Sequence, residues 1–150
     1  MNIPLYWRWP LIALAASFTV VLLALGDTVA SLWRLWNDSD AYGHGLFVIP
    51  IVVYALWMQR SELAALQPRS AWTGLVLLSV GFAAWFVAAL ADIEVGMQLG
   101  MALSLIALVF MQLGWRIASK LWFALLFPLL AVPIWDLVVP TLQAHTANVV

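Results

Sequence analysis

Cysteine is absent from this chain, so these residues hold no disulfide, no thiolate metal site and no cysteine nucleophile. Charge is nearly as scarce. Of 150 residues 9% are charged, six basic and seven acidic, while 66% are hydrophobic. A soluble domain is about a quarter charged, because its surface must face water. So few charges cannot coat a water-facing surface on a chain of this length, and lipid must replace water over most of the outside. A net charge of −1 and the lack of any Lys/Arg-rich run exclude a nucleic-acid partner. No phosphate-cradling glycine loop, no serine-histidine-aspartate order and no zinc-binding helix motif appears, and no cofactor is expected.

What is present in abundance is apolar sequence. A helix needs about 20 mostly apolar residues to cross a bilayer. Such runs extend over 11–26, 45–59, 72–91 and 95–115. A fifth starts at Leu121 and carries Pro128, Pro133 and Pro140; a sixth begins near Thr141. The expected fold is therefore an all-α membrane bundle, one domain of five complete spans plus the start of a sixth, continuing in nature past Val150. The N-terminal string through Arg8 and Pro10 is followed by no clean small-residue cleavage site, so it reads as a first anchor rather than a signal peptide.

The basic residues set an orientation. Arg8, Arg60, Arg69, Arg116 and Lys120 fall on one side if each span crosses, and Arg34 alone falls on the other, with Asp27, Asp38, Asp40, Asp92, Glu94 and Asp136. By the positive-inside rule the N-terminus is cytoplasmic and the acidic loops face outward. Trp7, Trp9, Trp33, Trp36, Trp57, Trp72, Trp115, Trp122 and Trp135 lie near span ends, where an indole can be half dry and half wet, and read as a belt of anchors. The short connection Asp92-Ile93-Glu94 predicts a tight antiparallel hairpin of spans three and four. Leu32, Trp33, Leu35 and Trp36 predict a short amphipathic piece on the outer interface. Ser79, Ser104, Gly74, Gly81, Gly96 and Gly100 suit close helix packing.

Two strings carry the candidate chemistry. In Asp38-Ser39-Asp40-Ala41-Tyr42-Gly43-His44-Gly45, two glycines flank a histidine at a span entrance. Glycine permits close approach of another group, and histidine titrates near neutral pH. A structural reading stands beside this one: Asp38, Ser39 or Asp40 caps the helix, Tyr42 joins the belt and His44 satisfies a loop carbonyl. Asp40 and His44 are four apart, but two ligands do not make a metal site. The second string runs from Phe127 to Gln143. Prolines there remove helical donors, so the span is expected to break near Pro133, with Asp136 just beyond it. Asp136 either reaches the headgroups or serves function, the default for a carboxylate at membrane depth. His44, Asp136 and His145 are candidates for one shared outer pocket.

Tyr42-Gly43-His44-Gly45-Leu46-Phe47-Val48-Ile49-Pro50, followed by Tyr54-Ala55-Leu56-Trp57, resembles the exosortase family, where the usual string is Tyr-Ser-His-Gly; Gly43 stands in place of the serine. Leu113-Gly114-Trp115-Arg116, Phe127-Pro128-Leu129-Leu130, Val132-Pro133 and the lead into Thr146-Ala147-Asn148-Val149-Val150 are similar to that family too. The likeness covers most of the chain from about Asp38 onward. It implies a polytopic bacterial inner-membrane protein of about eight spans. It implies a cysteine-type protease or transpeptidase acting on proteins with a C-terminal sorting signal (Pro-Glu-Pro, a transmembrane helix and a basic tail), in systems that make extracellular polysaccharide. The implied partners are the lipid bilayer and such PEP-CTERM proteins. The family's cysteine, arginine and histidine lie in later spans, and without cysteine nothing here maps onto the nucleophile that must attack the acyl carbon. Tyr42, His44, Asp136 and His145 are left as substrate-lining or supporting residues on the outer face.

A different class, a non-catalytic membrane subunit for polysaccharide export, fits the same composition. A transporter half fits less well, since spans three and four carry no central charge and no inverted repeat shows. The orientation has a direct test. In intact cells a lipid-impermeant thiol reagent should modify a cysteine placed at Ala41 and spare one at Ser70; the opposite pattern refutes the arrangement.

Overall fold

The computed structural model describes residues 4–134. Trp135, Asp136, His145 and the expected sixth span lie outside the described residues. Within them the chain is helical without strands, and four helices are long and apolar enough to cross a membrane. The helices are α1 (Leu5–Ala24), α2 (Gly26–Asp38), α3 (Gly45–Ala64), α4 (Trp72–Leu90), α5 (Glu94–Leu113), α6 (Trp115–Lys120) and α7 (Trp122–Leu126), followed by a 3-10 turn at Phe127–Ala131.

The centre of the bundle is α5. It carries nine buried residues where α1 and α3 carry two each. Val109 and Leu113 pack with Trp7, Ile117, Ala118 and Leu121 at one end; Met101 and Leu108 pack with Val21 and Leu25 at the other. Its tightest partner is α4, as the short connection predicts. Gly100 lies against the Trp85 backbone, Gly74 against the Met111 backbone and Gly81 against Ser104, so the two backbones approach where side chains are missing. Ser104 is buried and donates to the Gly100 carbonyl at 2.8 Å. Ser79 departs from expectation: it is exposed and donates to Leu75 of its own helix, so it takes no part in packing. The hairpin closes on a Schellman turn. Ile93 N–H donates to the Ala88 carbonyl and Asp92 N–H to that of Ala89, with Asp92 left-handed at φ 53°.

Several boundaries shift for tertiary reasons. The first helix starts at Leu5 rather than Leu11 and runs through Pro10. Its first turn is held from outside: Tyr6 Oη donates to the Ala64 carbonyl and Trp7 Nε1 to that of Leu66. Trp7 is thereby a buried core residue and not a belt anchor. The third helix continues past Gln59 to Ala64, with the Arg60 guanidinium 4.3 Å from the centre of the Trp57 ring and Glu62 paired to Lys120 at 2.9 Å. The fourth span stops at Leu113 rather than Trp115. Gly114 adopts φ 82°, and a Cβ there would overlap the Arg69 carbonyl. Trp9, Trp33, Trp57, Trp72, Trp115 and Trp122 are exposed, as a belt requires.

These contacts gather the ends of the helices. Arg8, Arg60, Arg69, Arg116 and Lys120 belong to the end where Tyr6 meets Ala64, Lys120 meets Glu62 and Arg69 N–H donates to Leu113. Asp27, Asp38, Asp40, Asp92 and Glu94 belong to the opposite end. The α4–α5 contact predicts a contrast between two glycines. Gly100→Ala should cost about 1–3 kcal/mol, because backbone cannot yield to the added methyl. Gly26→Ala, with nothing within 4 Å, should leave stability unchanged. Thermal unfolding in detergent reads the difference, and equal midpoints would refute the close approach.

Candidate functional site at the acidic end

The histidine turn enters α3 without a side-chain cap. His44 itself occupies the cap position, and Asp38, Ser39 and Asp40 do not cap the helix as the structural reading supposed. Successive short-range bonds wind the chain in instead: Tyr42 N–H to Ser39 O, Gly45 N–H to Tyr42 O, Leu46 N–H to Gly43 O and Phe47 N–H to His44 O. The His44 ring is exposed, 6.1 Å from the half-buried Tyr42 ring. Nδ1 faces the Ala41 carbonyl at 3.1 Å and Nε2 faces the Leu130 carbonyl at 3.5 Å, the outer limit of a hydrogen bond. A neutral imidazole has one N–H and serves one of these oxygens; the imidazolium serves both. The expected loop-carbonyl contact of His44 is present, and it extends to a second element 86 residues away.

That second element is the proline segment. Helical winding tightens to 3-10 at Phe127 and ends at Ala131, and Val132 is extended at φ −88°, ψ 134°. The residue before a proline is pushed into this region, so the break falls next to Pro133, as the sequence predicts. Pro133 has no N–H for the Leu129 carbonyl, which takes that of Val132. Ile134 N–H turns back to Val132 instead of reaching Leu130. The Leu130 and Ala131 carbonyls are met from elsewhere in the bundle: Leu130 by His44, and Ala131 by Trp36 Nε1 at 3.0 Å. Trp36 was expected in the aromatic belt. It is half buried, and its ring covers Gly45, where a Cβ would overlap the indole.

The structure thus brings Tyr42 and His44 together with the proline segment at the acidic end of the bundle. Asp136 and His145 lie outside the described residues, so a pocket shared with them is untested by this geometry. Among the described residues no group of three His, Asp or Glu side chains clusters as metal ligands. Sequence reasoning missed Trp36. The signal was a bulky indole on an amphipathic helix shortly before a glycine at the next helix entrance, and it gains meaning only once the two are known to touch.

Both strings fall within the stretch that matches a known family. The family model described as transmembrane exosortase matches residues 36–150, most of the chain, from Trp36 through the histidine turn and the proline segment. The chain belongs to the exosortase family. It is a multi-pass membrane protein of that family, with four long apolar helices among the described residues. No curated protein and no solved structure matches this exosortase chain.

Proposed function

We propose that this chain is the N-terminal part of a bacterial inner-membrane exosortase, a single-domain cysteine-type protease or transpeptidase. It processes exported proteins that end in a PEP-CTERM sorting signal, in systems that make extracellular polysaccharide. The reading rests on family membership, and one observation carries it to particular residues: the histidine turn and the proline segment, 86 residues apart, meet at one end of the bundle. In this reading the N-terminus is cytoplasmic, residues from Leu121 onward complete a fifth span and begin a sixth, and the acidic end faces the exported substrate. His44 and Tyr42 line or support the place where substrate enters. Asp136 follows Ala131 by five positions in the chain and joins them there, with His145. The nucleophile comes from beyond these residues, since none of them is cysteine. The absence of cysteine is also what a non-catalytic export subunit would show, and the experiment separates the two.

In cells making the full-length protein and a reporter with a PEP-CTERM tail, His44→Ala should lower reporter processing at least tenfold. Protein level and thermal midpoint should stay unchanged, because His44 is exposed and its bond to Leu130 is long. Normal processing by the variant would remove His44 from the site. Normal processing after deletion of the whole gene, with loss of polysaccharide export instead, would favour the non-catalytic subunit.

A further inference from the structure

We propose that Trp36 is the positioning residue of the histidine turn: one indole on α2 fixes both the proline segment and the entrance of α3, and so sets where His44 stands. His44 cannot do this for itself. Its ring is exposed, and its reach to Leu130 is 3.5 Å. Trp36 makes the shorter bond, 3.0 Å from Nε1 to the Ala131 carbonyl, while the same ring lies over Gly45, the residue after His44. Glycine at 45 leaves the room that the ring occupies. The far end of α2 is anchored in turn. Trp85 Nε1 donates to Thr28 Oγ1 at 3.0 Å, Gln98 Nε2 to Ser31 Oγ at 3.0 Å, and Ser31 Oγ to the Thr28 carbonyl at 3.0 Å. Thr28 and Gln98 are buried, so these bonds are shielded from competing water. From Thr28 to Trp36 the helix rises about 12 Å as a rigid rod. The position of the turn is therefore referred to the α4–α5 hairpin through α2. The inference concerns placement and holds whether or not the proposed activity is correct.

The test uses the full-length chain in membranes. Cysteines replace Gly43, where a Cβ meets only ordinary contacts at 3.7 and 3.8 Å, and the exposed Leu130. A short bis-maleimide links them in a chain whose own downstream cysteines are replaced by serine, and variants with one of the two added cysteines give the background. A second pair replaces Glu62 and Lys120 at the basic end and reports on the fold as a whole. Trp36→Phe keeps a ring and loses the N–H. It should slow the 43–130 cross-link about two- to tenfold, the worth of one net hydrogen bond, and leave the 62–120 cross-link unchanged. Gly45→Ala should slow the 43–130 cross-link when Trp36 is present and much less when it is Leu, because removing the indole makes room for the methyl. An unchanged 43–130 rate in Trp36→Phe and Trp36→Leu overturns the proposal. So does an equal loss of both cross-links, which would make Trp36 a general fold residue. Normal reporter processing by His44→Ala beside the expected cross-linking would sink the functional reading alone.

Discussion

A backbone carbonyl that loses its helical donor in an apolar bundle has to be met by another group, because lipid offers none. The segment from Phe127 to Ile134 is where this constraint bites. Two prolines withhold their N–H groups, Ile134 spends its own on Val132, and the helix ends. Ala131 then draws its donor from Trp36 on α2, and the exposed Leu130 has only a long reach from His44 at the entrance of α3. The unusual residues at the acidic end are thus bound to one another by a shared requirement. The prolines create acceptors, the imidazole and indole supply donors, and Gly45 provides the space that lets the indole arrive.

The same economy governs the rest of the bundle. With lipid outside, apolar burial gives little drive for helix association, and close packing with polar ties must supply it. Glycines bring α4 and α5 together. Glutamines then attach α1 and α2 to α5. Gln112 donates to Ser17 Oγ of α1 at 2.8 Å, and Gln98 donates to Ser31 of α2. Interhelical bonds of this kind contribute from about 0.6 to 2 kcal/mol each. The exposed Lys120–Glu62 pair is a different case: two half-hydrated side chains contribute well under 1 kcal/mol and mark where the helix ends meet rather than hold them there.

Legibility in the sequence followed how local each cause is. The α4 and α5 boundaries were readable within two residues, because an apolar run bounded by Asp92, Glu94 and Gly114 is a local signal. The amphipathic helix between the first and second spans was readable in kind but not in length. The break beside Pro133 was readable because a missing N–H is a property of the residue itself. What escaped was the use of indoles. Trp7 and Trp36 look in sequence like Trp9 and Trp33: large, apolar, with one donor, near a span end. Whether such a ring sits at the headgroups or inside depends on a carbonyl being in reach, Leu66 for Trp7 and Ala131 for Trp36. Those partners lie 59 and 95 residues away, and no local pattern encodes them.

This difference bears on how the histidine string should be understood. Read alone, Gly43-His44-Gly45 invites an account in which histidine is the purpose and the glycines are its accessories. The contacts reverse part of that order. Gly45 answers to Trp36, not to His44, and among the described residues the imidazole faces two backbone carbonyls. The glycine after His44 is therefore a packing feature of the contact between α2 and α3, whatever the imidazole does.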